Sequence, residues 1–113
     1  MTQNSTPSAC IVLSTAASPE EAARVSRELV ERRLAACVSC LPGLLSVYRW
    51  QDAVEEADEI LLLIKTSTEN LPALEAALLE LHSYEVPEFL VLPVAAGSQG
   101  YLDWLFAAVA PRK

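Results

Sequence analysis

The sequence has few basic residues, little glycine and a single histidine, and each scarcity argues against a class of function. Eight Lys and Arg against fifteen Asp and Glu give a net charge of −7, so no basic stripe is available for nucleic acid or for an anionic membrane surface. The three glycines form no phosphate-binding loop, and no serine lies in a Gly-x-Ser-x-Gly nucleophile elbow. We therefore predict a protein that is not an enzyme and that binds neither nucleic acid nor membranes.

Long apolar runs are also missing. No stretch reaches the roughly 20 apolar residues that a membrane-spanning helix needs, and the polar first residues do not resemble a secretory signal. We therefore expect a cytoplasmic protein whose three cysteines stay reduced. The alternative is a chain that is processed from a longer precursor by removal of a transit segment.

Apolar residues, in contrast, are abundant. They make up 52% of the 113 residues, a length typical of one domain. A domain this small leaves much of its apolar surface uncovered, so we expect partner subunits to share the burial. Residues 1–8 are predicted to be a disordered tail, and residues 9–113 a single domain.

Hydrophobic periodicity and helix-boundary residues predict four strands and three helices. The capping box Ser18-Pro19-Glu20-Glu21 starts the first helix, and Pro42-Gly43 predicts a bulge or bend in the second strand. The predicted strands are 9–15, 36–50, 54–66 and 88–94, and the predicted helices are 19–33, 68–81 and 101–109. This order of elements, with its short C-terminal helix, is that of an α+β, ferredoxin-like split βαβ fold with an antiparallel sheet.

Cys37 and His82 are the residues whose chemistry points to a metal. Cys37 lies in an apolar strand, and His82 lies at a helix end just before a proline-marked break. Thiolate and imidazole together favour a transition metal such as copper or zinc, and Glu85 could share a face with His82 if the helix continues for one more turn. Both Cys37 and His82 could equally be packing residues. One histidine makes a weak site, to which a neighbouring subunit could supply further ligands.

The remaining cysteines and a group of acidic residues have simpler interpretations. Cys37 and Cys40 are three residues apart on a strand, so they face opposite sides and cannot chelate a metal together without a bulge. We expect Cys40 to be a packed small residue and Cys10 to lie in the core. Five acidic residues on the predicted hairpin are expected to form a solvated face, with loose attraction of cations as the alternative. They are Asp52, Glu55, Glu56, Asp58 and Glu59.

A series of short motifs extends over nearly the whole chain, from Ile11 to Leu105. They are Arg33-Leu34-Ala35-Ala36-Cys37-Val38, Pro42-Gly43, Ser46-x-Tyr48-x-Trp50, Glu55-Glu56, Leu62-Leu63-Ile64-Lys65-Thr66, Tyr84-Glu85-Val86-Pro87-Glu88, Leu92-Pro93-Val94 and Tyr101-Leu102-x-Trp104-Leu105. In order and spacing, these motifs resemble those of the CutA family of divalent-cation tolerance proteins.

The resemblance implies a ferredoxin-like protomer and a homotrimer whose strands pair across subunits. It also implies binding of copper(II) or another divalent cation, without an established catalytic reaction, and it ties the positions of His82 and Cys37 to the metal. The sequence departs from the family in three places: Ser83 replaces a common proline, the hairpin tip at 50–53 lacks the usual glycine, and Ser14 replaces a cysteine of some members.

A function from a different class stays open at this point. In it, the chain forms a regulatory or scaffolding trimer whose clefts between subunits receive a small ligand or a protein partner, an inference that rests on fold analogy. A third and minor alternative is hydrolytic or redox chemistry at the Cys37 thiol.

Overall fold

The predicted α+β fold is confirmed in a computed structural model, which describes residues 8–111. Four antiparallel strands and three α-helices follow each other in the predicted order. Their bounds are β1 Ala9–Ala16, α1 Pro19–Glu31, β2 Cys37–Trp50, β3 Ala53–Ser67, α2 Leu71–Leu81, β4 Leu90–Pro93 and α3 Gln99–Val109. Except for Ser8, the predicted tail of residues 1–8 lies outside the described residues.

The sheet has the strand order β2-β3-β1-β4, so β1 lies in its interior between β3 and β4. We call the side that α1 and α2 cover the helix face, and its core contains Val12, Leu62, Ile64 and the buried residues of the two helices. We call the other side the open face. Helix α3 covers one end of it through Leu105 and Val109. The rest of the open face carries apolar side chains that are only half-buried, among them Ile11, Leu13, Leu61 and Leu63.

Helix α1 has a defined signal at each end. Ser18 is the N-cap, and its hydroxyl accepts a hydrogen bond of 3.1 Å from the backbone N–H of Glu21, as the capping box predicts. At the other end the chain turns through Arg33, whose φ of 61° lies in the left-handed region. The backbone N–H groups of Arg33 and Leu34 bond the carbonyls of Val30 and Leu29, which is a Schellman motif with arginine in the position that usually holds glycine.

The β2–β3 hairpin is long and has two irregular points. Between Leu41 and Leu44 the register shifts by one residue, which is the bulge that Pro42-Gly43 predicts, and Gly43 has a φ of 82°. At the tip, Gln51 and Asp52 both have positive φ, 50° and 67°, as a type I′ turn requires. Neither residue is glycine, so the turn keeps its shape at a conformational cost.

Four predicted boundaries are wrong by two or three residues. Helix α1 ends at Glu31 instead of 33, and α3 begins at Gln99 instead of 101. The segment Thr68–Asn70 is a 3-10 turn, and α2 begins only at Leu71. Pro72 explains this difference, because it has no N–H to donate to the carbonyl of Thr68 in an α-helical bond. Strand β4 starts at Leu90, because the stretch around Pro87 does not pair with β1. Among the described helices, none is both long and apolar enough to cross a membrane.

Candidate functional site

A cleft of about 670 Å³ lies between the β2–β3 hairpin and the segment that follows α2, and we call it the hairpin cleft. The strand register brings Tyr48, Trp50, Glu55 and Glu59 to the open face, because Tyr48 pairs with Glu55 and successive residues alternate sides. The complete lining consists of Thr15, Ser46, Val47, Tyr48, Trp50, Glu55, Glu59, Ser83, Tyr84, Glu85, Val86 and Glu88. It contains four glutamates, and no Lys, Arg or His of the described chain contributes to it.

Glu59 is the most deeply buried acid of the hairpin cleft, with 8% of its surface exposed. Its Oε2 accepts hydrogen bonds from the phenol of Tyr84 at 2.7 Å and from the hydroxyl of Thr15 at 3.3 Å. No cationic group within residues 8–111 forms an ion pair with it. A carboxylate removed from water is costly unless a positive charge compensates it, so Glu59 makes this cleft a place that attracts cations.

The negative charge of the cleft also changes its neighbours. Partial removal from water raises the pKa of Glu88, and the nearby carboxylate of Glu59 raises it further. The pKa of Tyr84 is raised as well, first by burial and then by its hydrogen bond to Glu59. Its phenol therefore stays protonated and keeps donating to Glu59 throughout the neutral range. A cation in the cleft would relieve the repulsion between Glu59 and Glu88.

His82 lies directly behind this cleft and is buried. Its Nδ1 accepts a hydrogen bond of 3.0 Å from the backbone N–H of Tyr84. Because Nδ1 accepts, the proton is on Nε2, which donates to the carbonyl of Thr15 at 2.6 Å. Both ring nitrogens are therefore used to hold the segment after α2 against the end of β1.

Glu21 of α1 also holds the segment after α2 in place. Its Oε1 accepts from the N–H of Ala17 at 2.8 Å, and its Oε2 accepts from the N–H of Ser83 at 2.7 Å. Burial acts to raise the pKa of Glu21, but the hydrogen bonds from Ala17 and Ser83 outweigh it, and the pKa is lowered. The capping-box glutamate thus positions one wall of the hairpin cleft in addition to starting its helix.

The three predicted metal ligands do not meet within one protomer. Glu85 lines the hairpin cleft, and His82 lies behind it. Cys37 pairs with Lys65, whereas Thr15 pairs with Leu61, so Cys37 lies four residues along β3 from the His82 end, or about 13 Å. In the described part of the chain, no three His, Cys, Asp or Glu side chains converge on one point. The assignment of these residues to a metal stays a prediction.

The positions of Cys10 and Cys37 and the opposite orientation of Cys37 and Cys40 agree with the strand pattern. Cys10 is fully buried, and Cys37 and Cys40 pair with Lys65 and Leu62 on opposite faces of β3. Cys40 is not packed as expected: it is exposed, with its sulfur 3.3 Å from the hydroxyl of Ser26. All three are free thiols.

Glu59 is the cleft residue that sequence reasoning missed. The sequence pattern groups Glu59 with four other acids on a solvated face, and those four are exposed as predicted. Glu59 differs because Thr15 and Tyr84 cover it from segments that are remote in sequence. The only local signal is its position beside the buried run that begins at Ile60, where the polar end of β3 enters the body of the protein.

The sequence model of the CutA1 divalent ion tolerance protein family matches residues 10–108. The chain belongs to the CutA1 family. The divalent-cation tolerance protein CutA of Thermus thermophilus is 52% identical over 95 residues, which cover 84% of this chain and 92% of that protein. A solved structure of the divalent cation tolerance protein from Thermus thermophilus has a TM-score of 0.88 at 48% identity, covering 90% of this chain and 99% of that one. CutA1 from Oryza sativa has a TM-score of 0.89 at 36% identity, with coverages of 95% and 97%.

Membership of the CutA1 family agrees with the resemblance read from the sequence motifs. The motif Tyr84-Glu85-Val86-Pro87-Glu88 contributes most of one wall of the hairpin cleft, and Ser46-x-Tyr48-x-Trp50 contributes another. Two of the motifs that carry the resemblance thus converge in space, although more than thirty residues separate them in the chain.

Proposed function

We propose that this chain binds a divalent cation, copper(II) in the first instance, as a homotrimer, and holds the ion without catalysing a reaction. The observation that carries the proposal is the hairpin cleft, with four glutamates, no basic lining residue and a buried carboxylate that lacks a cationic partner among the described residues. The family's description as divalent ion tolerance proteins supports the same direction. Among the common divalent first-row metals, copper(II) generally has the highest affinity for a site built from nitrogen, oxygen and sulfur ligands.

One protomer offers only part of a metal site, so the proposal includes ligands from a neighbouring copy. Glu85 is free to bind from the cleft, since it is exposed. Cys37 is half-buried on the open face and would contribute from a second protomer. His82 would join only after giving up one of its two hydrogen bonds, which makes it the most costly of the three proposed ligands.

The homotrimer is supported by apolar surface that one protomer leaves uncovered. On β2, Leu41 is 56% exposed and pairs with Leu61 on the open face. At the opposite edge of the sheet, Leu90, Val91 and Leu92 of β4 are exposed as well. Large exposed patches of this kind mark interaction surfaces, and unpaired edge strands invite pairing with another chain.

Sedimentation velocity on two matched leucine variants tests the oligomer. We expect Leu41→Asp to yield a folded monomer, because the side chain is exposed in the protomer and the charge would lie in the interface. Leu79→Asp is the control, because Leu79 is equally exposed but lies on α2, away from the open face. A wild-type protein that sediments as a monomer would refute the trimer.

Calorimetric titration with copper(II) tests the ion. We expect binding by the wild type, weaker binding by Glu85→Gln and by Cys37→Ser, and loss of the site in the monomeric Leu41→Asp variant. Glu31→Gln, which removes an exposed acid from α1, is the charge-matched control. Equal copper(II) affinities in all these variants would refute the assignment of Glu85 and Cys37 as ligands.

The alternative of a regulatory trimer with a small ligand is favoured by the size of the hairpin cleft, which is within the range of small-molecule sites.

In either case we propose a cytoplasmic location, because all three cysteines are free thiols.

A further inference from the structure

Lys65 is the only Lys or Arg that a strand places on the open face within residues 8–111, because it follows the same alternation along β3 as Leu61. Its side chain is half-buried, and its ammonium donates a hydrogen bond of 3.2 Å to the hydroxyl of Ser39. No carboxylate of the described residues lies within ion-pair distance of it. The open face therefore carries an unpaired positive charge in addition to the unpaired carboxylate of Glu59.

The other basic side chains of the described chain have different positions or partners. Arg33 donates to two carbonyls at the end of α3. Arg49 is exposed and lies on the opposite side of β2 from Tyr48, because the two residues are adjacent on the strand. The remaining three form ion pairs with glutamates of the two helices; they are Arg24, Arg27 and Arg32. Lys65 is thus the cation that the open face has available for a carboxylate.

Lys65 and Glu59 cannot meet within one protomer. Six residues of β3 separate them, or about 20 Å, which is far beyond the reach of a lysine side chain. In a closed ring of three copies, each interface joins two different surfaces, so Lys65 of one copy can face Glu59 of the next. Once a neighbour covers the open face, both charges lose their remaining water, and each then requires an opposite charge.

The position of Cys37 indicates where Lys65 would go. The two residues are direct cross-strand neighbours on β2 and β3, and such pairs lie about 5 Å apart. The function proposed above brings Cys37 of a second protomer to the hairpin cleft. The same docking brings Lys65 of that protomer to the four glutamates of the cleft.

We propose that Lys65 of a neighbouring copy inserts into the hairpin cleft and pairs with Glu59, so that a divalent cation must displace its ammonium in order to bind there. The proposal rests on the homotrimer proposed above and adds a competitor to its metal site. An ammonium and a divalent cation repel each other at close range, so both cannot use the same carboxylates fully. Lys65 therefore stabilises the metal-free trimer and limits its affinity for metal.

A double-mutant cycle on trimer dissociation tests the contact. Sedimentation velocity over a dilution series in metal-free buffer, with urea added until the wild type dissociates, gives the dissociation constant of each variant. Lys65→Met and Glu59→Gln should each raise it by at least about ten-fold, because each leaves a buried charge without its partner. The double variant should be weakened by much less than the product of the two effects. Arg49→Met is the control, since it removes an exposed charge on the other side of β2.

Calorimetric titration with copper(II), at concentrations where every variant is trimeric, tests the competition. Lys65→Met should bind copper(II) at least about three-fold more tightly than wild type, because no ammonium has to leave the cleft. A residue with a structural role alone would weaken metal binding when it is replaced. Arg49→Met should change the affinity less than Lys65→Met does.

Multiplicative effects of the two substitutions on dissociation, or an unchanged or weaker copper(II) affinity of Lys65→Met, would overturn the proposal. If Glu59→Gln does not fold, the titration of Lys65→Met decides. If the wild-type trimer does not bind copper(II), the divalent-cation function fails, and the dissociation cycle still decides the contact. A monomeric wild type would refute the trimer and the contact together.

Discussion

The phenol of Tyr84 donates a 2.7 Å hydrogen bond to the carboxylate of Glu59 and so joins the segment after α2 to the middle of β3. The same segment is held from behind by His82, which bonds the carbonyl of Thr15. Thr15 also donates to Glu59 through its side chain. One wall of the hairpin cleft is therefore built from short polar contacts between β1, β3 and a loop, which makes its shape sensitive to single substitutions.

We expect Tyr84→Phe to lower the free energy of unfolding by about 1–2 kcal/mol, because the buried Glu59 carboxylate loses its shortest hydrogen bond. Urea unfolding at one fixed protein concentration measures this change. Tyr101→Phe is the control, since its ring is exposed on α3. If the two variants are equally stable, the hydrogen bond from Tyr84 to Glu59 makes no net contribution to the free energy of unfolding.

Glu21 should make stability depend on acid pH. Its pKa is lower in the folded protein than in the unfolded chain, so its contribution is present above the unfolded pKa of about 4.5 and is lost as the pH falls through the folded value. Glu21→Gln should lower the free energy of unfolding by about 1–3 kcal/mol at pH 7. The reason is that the amide N–H₂ of glutamine would face the backbone N–H of either Ala17 or Ser83, and two donors cannot bond each other. The difference from wild type should shrink towards pH 3.

Urea unfolding across this pH range checks the prediction, with the exposed neighbour variant Glu20→Gln as control. A cost for Glu21→Gln that stays constant from pH 7 to pH 3 would contradict it.

The hairpin tip offers a stabilising substitution. Gln51 has a φ of 50°, which glycine adopts freely and glutamine does not. Gln51→Gly should therefore raise the free energy of unfolding by up to about 1 kcal/mol. Gln99→Gly is the opposite case, because it places glycine in the first turn of α3 and should destabilise. Thermal unfolding distinguishes the two, and a loss of stability in Gln51→Gly would show that the tip is not strained.

Arg33 connects the end of α1 to the end of α3. Its guanidinium donates to the carbonyls of Ala108 and Ala110, at 3.3 Å each. Arg33→Ala loses these bonds and keeps the unfavourable φ, whereas Arg33→Gly loses the bonds but relieves the backbone. We expect both to be less stable than wild type, with Arg33→Ala the worse by about 1 kcal/mol. Chemical denaturation of the pair measures this order, and a reversed order would contradict it.

The sequence predicted those features that local chemistry determines. The capping box at Ser18 correctly marked the start of α1, and the alternation of β2 correctly placed Cys37 and Cys40 on opposite faces. Pro42-Gly43 predicted the bulge. Each of these needs only a few neighbouring residues and the geometry of one element.

The features that the sequence does not predict depend on distant residues. Glu59 resembles its acidic neighbours in sequence, and only Thr15 and Tyr84, 44 and 25 positions away, bury it. His82 has the residue type of a metal ligand, but contacts with Thr15 and Tyr84 occupy both of its nitrogens. The separation of Cys37 from His82 follows from strand register, which a list of candidate ligands does not contain.

The interior position of β1 has a consequence for how the chain is made. Strand β1 leaves the ribosome before β3 and β4, the two strands that pair with it on either side. Until residues 90–93 emerge, a nascent chain has an open apolar edge that other growing chains can join. Translation pauses before that point would therefore favour misassembly.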